Sequence, residues 1–385
     1  MKIKIFVIGI LLLFFLLIGL FLNLIDERIF VFNNFDSNFY LKNKNNHLKP
    51  KILEPRVWEI NLSKNEIYFF ENGKLKEAFP IAYQAPEGKW YQTPTGYFRV
   101  GIKKRVHISS ISRVYMNYAV QMYEDFFIHE IPYYLNGERV SSDFTGGCIR
   151  LWPKIAKIFF EKVKPGDLII SYKDLDDFQV KEDFVFPVNK DEFYIRQRFN
   201  NPLRTAWFRN KDRSIDYIQH AGVDLAPNPD AKDLNVYNIY DGKIVKIVRN
   251  GESDHGMGHT VIVEINSDFK KVYVLYAHLS EINSNLKEGD FIKKGEIVGK
   301  VGATGYGCNY WRIGEDGCDK KSKLDIHLHL EIKEKPVLKS PKETACFLNG
   351  TFMNCYGYVP HNPTDYGYLD PLAFIGVWKK GLDKH

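Results

Sequence analysis

The sequence is poor in cysteine, with five in 385 residues, and the number is odd. An odd count leaves at least one thiol without a partner inside the chain. Cys308 and Cys318 are close in sequence, as are Cys346 and Cys355, while Cys148 stands alone. The simplest arithmetic is two short-range disulfides and one free thiol, although four cysteines permit three pairings, and disulfides require an oxidising compartment. There is also no concentrated Lys/Arg tract. The formal net charge of +6 is weakly basic for this length. Nucleic-acid binding gains little support from it, and attraction to an acidic polymer stays open. No internal repeat and no long low-complexity tract is present, which excludes a repeat architecture.

Neither an Ala-x-Ala-like cleavage site nor a cysteine for lipid attachment follows the one long apolar run, Ile5 to Leu22. That run is about long enough to cross a bilayer core. It is apolar on all faces, preceded by Lys2 and Lys4, and ended by Asn23 and Asp26-Glu27-Arg28. A retained signal anchor and transmembrane helix over 1–28 therefore fits better than a removed signal peptide. The early lysines put the N-terminus in the cytoplasm and the rest of the chain outside. Residues 29–55 are rich in Asn and Lys (Asn43-Lys44-Asn45-Asn46) and aperiodic, and they read as a tether.

Aromatic residues, by contrast, are plentiful at 15% of the chain, a composition that suits β-rich architecture. Trp58 to Leu62 alternates, Ile67 to Phe70 follows, and Asn72-Gly73 is a strong hairpin signal. Thr93-Pro94-Thr95-Gly96 supplies a rigid turn. The pattern predicts a helix over Ile155–Val163, ended by Pro165-Gly166, and a closing strand over Leu168–Tyr172. The aperiodic acidic and aromatic stretch 174–193 reads as an interdomain connection. Beyond it, Thr260–Glu264, Val272–Tyr276 and Ile297–Val301 are predicted strands. The expected fold is mainly β and multidomain, with one β-rich domain over 56–173 and a second over 194–385.

Cys148 lies in Thr145-Gly146-Gly147-Cys148-Ile149-Arg150. A lone cysteine is usually a small buried hydrophobe. Here Gly146 and Gly147 leave backbone N–H groups beside the sulfur, which is what an oxyanion hole needs. His129, ending the predicted strand Phe126–His129, is placed to take the thiol proton. Arg150 offers a fixed donor fork suited to a carboxylate. On chemistry alone, a catalytic Cys–His pair and a structural thiol in a tight turn are both open. Residues 56–173 resemble the L,D-transpeptidase (YkuD-type) catalytic domain through the opening hairpin Trp58 to Gly73, Thr93–Gly96, His129 and Thr145–Arg150. The resemblance implies that Cys148 attacks the L,D-peptide bond of a tetrapeptide stem in peptidoglycan. It implies that His129 makes the sulfur a thiolate and that Thr145 orients the histidine, with Gly147 and Arg150 completing the site. Two positions depart from the family pattern. Glu130 follows His129 where Gly is usual, and Gly146 stands two before the cysteine where His is frequent. The essential pair is kept, and Glu130, bearing on the acceptor side, leaves transfer and hydrolysis both open.

Leu324-Asp325-Ile326-His327-Leu328-His329-Leu330-Glu331 alternates with period two, so His327 and His329 project from one face of a strand. Paired neutral imidazoles are a start to a transition-metal site. His220-Ala-Gly-Val-Asp224 and Tyr276-Ala-His278-Leu279 add further candidates, a set that suits a catalytic zinc with an open position. Histidines 47, 107, 361 and 385 read as surface or core, with His107 packing at the rim of the first domain. His255 and His259 read as part of a Gly-rich hairpin loop over the site. Residues 195–335 resemble the lysostaphin/LytM-type zinc endopeptidases, an antiparallel β-sheet family, through the three histidine motifs, Asp241-Gly242 to Val245 and Glu288-Gly289-Asp290. The resemblance implies that His220, Asp224 and His329 hold Zn2+. It implies that His278 and His327 face the bound water and the scissile carbonyl. Cys308 with Cys318, and Cys346 with Cys355, flank the His327–His329 strand and are expected to pin the walls of a substrate groove.

Together the resemblances imply a membrane-anchored, bifunctional peptidoglycan-remodelling enzyme. A cysteine L,D-transpeptidase would act on stem peptides and a zinc metalloendopeptidase would cut cross-links, both on the outer side of the bacterial cytoplasmic membrane. An L,D-carboxypeptidase activity of the first domain and a non-catalytic wall-binding activator of other hydrolases are the alternatives. Nothing in the sequence sets the oligomeric state.

Overall fold

The structure, a computed structural model, describes residues 48–86, 92–109, 112–209, 215–249, 256–267, 270–305, 326–338, 345–348, 351–354 and 356–379. The expected anchor over 1–28 and most of the tether over 29–55 lie outside these residues. Among the described residues no helix is long and apolar enough to cross a membrane. The chain is mainly β, arranged in several sheets with little helix.

The N-terminal half contains β1 (Arg56–Asn61), β2 (Glu66–Glu71), β3 (Lys74–Pro80), β4 (Gly96–Arg99), β5 (Lys103–Ile108), β6 (Tyr115–Tyr123), β7 (Phe126–Glu130), β8 (Ile149–Leu151), α1 (Pro153–Lys162) and β9 (Leu168–Tyr172). β2 and β3 are joined at Asn72-Gly73. Both residues have positive φ, 49° and 75°, as a primed two-residue turn requires. The first sheet runs β3-β2-β1-β9-β4 and the second β5-β6-β7-β8. β9 ends this half in sequence yet lies inside its sheet, parallel to β1 and antiparallel to β4. Its five residues are all buried, which suits an apolar run lacking polar alternation. α1 begins with Pro153 in its first turn and buries Ile155, Ala156 and Phe159. That stripe packs with Trp58, Ile128 and Ile149, so the core of this half lies between both sheets and the helix.

The C-terminal half contains β10 (Phe193–Gln197), β11 (Ile215–His220), β12 (Val223–Pro227), β13 (Gly242–Val248), β14 (His259–Ser267), β15 (Lys270–Leu279), β16 (Phe291–Ile292), β17 (Leu328–Lys333), β18 (Tyr368–Leu369) and a short helix, α2 (Pro371–Ile375). Its main sheet runs β10-β12-β17-β15-β14-β13-β16, with β18 against β17. Every pairing along it is antiparallel. β11 belongs to a second sheet, where it pairs Pro202–Arg209 and Tyr358–Pro360.

The stretch 174–193, expected as a connection, is packed rather than free. Leu175, Phe178, Phe186 and Val188 are buried in the core of the C-terminal half, and Phe178–Val180 pairs Gly376–Trp378. Each apolar side chain reaches the core at its own irregular interval, so no period shows in the sequence. The two halves also share buried surface. Tyr97 of β4 and Tyr194 of β10 join their hydroxyls within a cluster that includes Val57, Tyr68, Ile170, Tyr172 and Ala226. Of the cysteines expected to pair, Cys308, Cys318 and Cys355 lie outside the described residues. Of Cys346 the backbone alone is described.

Candidate metal centre and thiol site

β12 and β17 are antiparallel neighbours, and their register sets Asp224 directly opposite His329. On the other side of β17, Ala277 of β15 faces the same histidine. His220 ends β11 and reaches the site over the turn Ala221-Gly222. A side chain at Gly222 is not tolerated, because a Cβ there would stand 2.4 Å from the Leu330 carbonyl oxygen. The consequence is convergence. His220 Nε2 lies 3.1 Å from His329 Nδ1 and 3.3 Å from Asp224 Oδ1, and the latter two atoms are 2.8 Å apart. All three side chains are buried.

The second nitrogen of each imidazole is committed. His220 Nδ1 donates to the Arg198 carbonyl at 3.0 Å, and His329 Nε2 meets Glu331 Oε1 at 3.1 Å. Lys333, also buried, pairs with Glu331. Arg196 donates to Asp224 Oδ2 at 2.9 Å. Burial works against ionisation of Asp224, but the neighbouring His220, His327 and Arg196 outweigh it and hold the carboxyl well below its usual range. Burial likewise opposes charge on His329, and its hydrogen bonds to Asp224 and Glu331 raise it to about 9. Glu331 is held down to about 2 because Lys333 and His329 overcome its burial.

The donor set fits a metal of zinc type. Zinc with ligands at roughly 2.0–2.1 Å in tetrahedral array has donor–donor edges of about 3.3 Å; two observed edges, 3.1 and 3.3 Å, are close to this and the third, at 2.8 Å, is shorter. Two imidazoles and a carboxylate, each braced by a further hydrogen bond, are the donors such an ion takes.

Two more imidazoles face this centre. His327 Nε2 lies 3.8 Å from Asp224 Oδ2, on the same face as His329, as alternation predicts. The His278 ring stands 4.8 Å from that of His327 and 5.7 Å from that of His329, centroid to centroid. His278 has φ 61°, a left-handed conformation that is strained for a residue with a side chain. Its backbone N–H is held by Met257 and its Nδ1 donates to the Thr304 carbonyl at 2.9 Å. Burial drives its pKa down to about 3, so the ring is neutral with Nε2 as its basic nitrogen. The same loop holds His327, whose N–H donates to Gly302. His259 lies beside it, its backbone N–H donating to Thr304 Oγ1, while His255 is outside the described residues.

In the N-terminal half, β7 and β8 run parallel with His129 paired to Arg150. Cys148, just before β8, accepts from the Phe127 N–H at 3.4 Å. Strand alternation therefore puts Cys148, Arg150, Phe127 and His129 on one face. His129 Nδ1 donates to the Glu130 carbonyl at 2.5 Å, leaving Nε2 as the basic nitrogen. Burial lowers its pKa to about 4. Arg150 donates to the Ser142 carbonyl at 2.7 Å, and its buried Nε has no partner among the described residues.

Two assignments from the sequence change here. The carbonyl that orients His129 is that of Glu130, not a group on Thr145. The Thr145 hydroxyl instead donates to the Cys148 carbonyl at 2.6 Å and accepts from Gly147 N–H at 3.1 Å. Thr145 and Gly147 thus shape the turn, with Gly147 at φ 104°, and the Gly147 N–H is used inside it. The Glu130 carboxylate leaves by the other face of β7, where it accepts from Tyr133 and Asn117.

Several residues near the two sites gain a role that sequence patterns did not give them. His107, expected to pack at the rim of the first domain, stacks on the ring of Phe127, two residues before His129, at 4.7 Å. Glu331 and Lys333 carry a readable signal, since they continue the alternation of His327 and His329. Arg196, Arg198 and Thr304 carry none.

Comparison with known proteins finds one family match in each half. Residues 55–170 match the L,D-transpeptidase catalytic domain family (YkuD), and residues 218–341 match peptidase family M23. The glycyl-glycine endopeptidase ALE-1 of Staphylococcus capitis is 30% identical over 122 residues, 29% of this chain and 31% of that protein. The chain thus spans about a third of the length of that curated relative. Among solved structures, an L,D-transpeptidase from Stackebrandtia nassauensis is similar at 18% identity and a TM-score of 0.28, over 34% of this chain and 60% of that one. The catalytic domain of the antimicrobial peptidase lysostaphin from Staphylococcus simulans is similar at 24% identity and a TM-score of 0.24, over 40% of this chain and 78% of that one.

Proposed function

We propose that this chain, which joins an L,D-transpeptidase catalytic domain of the YkuD type to a peptidase family M23 domain, is a bifunctional peptidoglycan-remodelling enzyme. Its thiol half, residues 56–173, exchanges stem peptides, and its metal half, residues 194–385, cuts peptide cross-links. Residues 174–193 connect them, and an anchor over 1–28 with a tether over 29–55 holds both outside the cytoplasmic membrane. The observation that carries the reading is the convergence of the ligand atoms of His220, Asp224 and His329 within 4.8 Å of one another, on a chain that also pairs His129 with Arg150, two residues after Cys148.

In the thiol half, Cys148 Sγ attacks the carbonyl carbon of the donor's L,D-peptide bond and its proton passes to His129 Nε2. The C–N bond breaks, the leaving amine takes that proton, and a thioester remains for an acceptor amine to open. His129 acts as a neutral base, held by the Glu130 carbonyl and kept uncharged by burial. The Arg150 guanidinium holds a carboxylate of the stem.

In the metal half, His220, Asp224 and His329 would hold Zn2+, which would supply Lewis acidity to a water and to the scissile carbonyl. His278 Nε2 takes the proton of the attacking water, because its Nδ1 proton is committed to Thr304 and burial keeps the ring neutral, and returns it to the leaving amine as the C–N bond breaks. His327, on the Asp224 side, donates to the oxygen on which negative charge develops. The two halves on one tether act on the same strand by effective concentration.

The test is mass analysis of products from purified peptidoglycan, with and without a zinc chelator and with Cys148→Ala. Chelation is expected to abolish cross-link cleavage alone, and Cys148→Ala to abolish stem exchange alone. Trimmed tripeptides in place of exchanged stems would make the thiol half a carboxypeptidase. Products unchanged by either treatment would leave the wall-binding activator.

A further inference from the structure

The ring of His220 is held by a carbonyl that the other half of the chain holds in turn. His220 Nδ1 donates to the Arg198 carbonyl at 3.0 Å. The Arg198 N–H donates to Thr95 Oγ1 at 3.1 Å, and its guanidinium donates to the Thr93 carbonyl. One turn further on, the Asn201 side chain pairs with the Thr95 backbone in both directions. Its Oδ1 accepts from Thr95 N–H at 3.0 Å and its Nδ2 donates to the Thr95 carbonyl at 3.1 Å. The Asn201 carbonyl then accepts the N–H of His220 itself at 3.0 Å. Both the ring and the backbone of His220 are therefore tied, through one intervening residue each, to Thr95. Gln92 adds a further bond to the Asn200 carbonyl at 2.7 Å, and Asn200 N–H donates to the His220 carbonyl at 2.8 Å.

These groups are dry. Gln92, Thr93, Thr95 and Asn201 are fully buried, and Arg198 and His220 nearly so. In such a place a lost hydrogen bond has no water to replace it, so the atoms move instead. We propose that Thr95, in the Thr93-Pro94-Thr95 loop of the thiol half, is a positioning residue of the metal centre. It fixes the Arg198 carbonyl, which fixes the His220 tautomer with Nε2 turned toward Asp224 and His329. The loop is two-sided, since Thr93 Oγ1 also accepts from Ala85 N–H at 3.0 Å, and Tyr83 pairs with Arg150 beside the thiol. The metal half on its own lacks a part of its own centre. This rests on the assignment of His220, Asp224 and His329 as metal ligands.

Zinc affinity of the full chain, measured by competition with a chromophoric chelator, tests it without recourse to activity. The comparison is wild type, Thr95→Val, Thr95→Ser, His329→Ala and Lys51→Met. Lys51 Nζ donates to Asn228 Oδ1 at 2.8 Å, so Lys51→Met removes a bond from the segment before β1 to the metal half that does not involve Arg198 or His220. Thr95→Val keeps the shape and deletes the hydroxyl, and is expected to weaken zinc binding about tenfold, the lower end for a residue bracing a ligand. Thr95→Ser is expected to restore affinity, and Lys51→Met to lower the unfolding temperature without changing affinity. Equal affinity of Thr95→Val and wild type, within twofold, overturns the proposal, as does a loss that Lys51→Met reproduces. If Thr95→Val does not fold, Arg198→Met, which deletes the bond to the Thr93 carbonyl, is read by the same criteria. Wild type that takes up no stoichiometric zinc, or His329→Ala that takes up as much as wild type, removes the ligand assignment itself, and the proposal falls with it.

Discussion

Asp224 and His329 face each other directly across two antiparallel strands, with Oδ1 and Nδ1 2.8 Å apart in a buried setting. The carboxylate serves two partners, because its other oxygen accepts from Arg196 at 2.9 Å. Removing its charge therefore has two consequences. Asp224→Asn is expected to abolish stoichiometric zinc retention. It is also expected to cost about 3 kcal/mol of stability, since the Arg196 charge is left buried without a counter-charge. Metal analysis and denaturant unfolding of the same preparation check both, and retained zinc would overturn the ligand role.

Glu331 braces His329 from behind, and Lys333 depends on Glu331. Glu331→Gln is expected to weaken zinc binding by about 10- to 100-fold while leaving the ligands in place. Titration against a chelator of known affinity measures it. An unchanged affinity would mean that the Glu331–Lys333 pair serves only the core.

The metal and thiol centres are expected to respond separately to ligand removal. Zinc held at about 100 times its dissociation constant stabilises the folded chain by about 2.7 kcal/mol. Chelation should therefore lower the unfolding midpoint of wild type and of Cys148→Ala by the same amount. A smaller shift in Cys148→Ala would show that the thiol, rather than the histidine cluster, takes up part of the metal.

Burial places His129 at about 4 in the folded chain, below its ordinary 6.5. Between those values the unfolded chain binds a proton that the folded chain does not, so stability falls as pH drops through that window and is fully present above it. The contribution at stake is about 3 kcal/mol. The difference in unfolding free energy between wild type and His129→Gln, followed from pH 8 to pH 4 (about the window the shift defines), isolates this effect. Wild type should lose stability faster on acidification. The same variant is expected to slow stem exchange by about 10²- to 10⁴-fold, the ordinary worth of a general base.

Part of the fold and most of the site chemistry are legible in the amino-acid sequence. Alternation places His327 and His329 on one face because the side chains of a strand point by parity, which a few residues suffice to show. Asn72-Gly73 announces its hairpin because positive φ at two successive positions is a property of those two residues. The mainly β character is likewise expected from the sequence, and the antiparallel sheet carrying the histidine motifs from the resemblance those motifs support. Pattern also singles out the candidate residues of both sites, since each histidine motif and the Gly-Gly-Cys turn are short and self-contained, while their roles come from the resemblance to two families.

Tertiary structure alone decided the rest. β9 lies inside its sheet although it comes last, because strand order depends on which apolar faces meet, and periodicity carries no address. The stretch 174–193 is packed because its aromatics find the core singly. His129 is oriented by Glu130 rather than Thr145, since a hydrogen-bond partner is chosen by distance and angle within the turn and not by residue type. Arg196 reaches Asp224, and Thr95 reaches Arg198, across gaps in sequence that no local pattern spans. Sequence alone specifies which side chains have the right chemistry and which face of a strand they leave from. The packing of one half of the chain against the other decides what each of them touches, because buried polar groups must find partners wherever the fold happens to bring them.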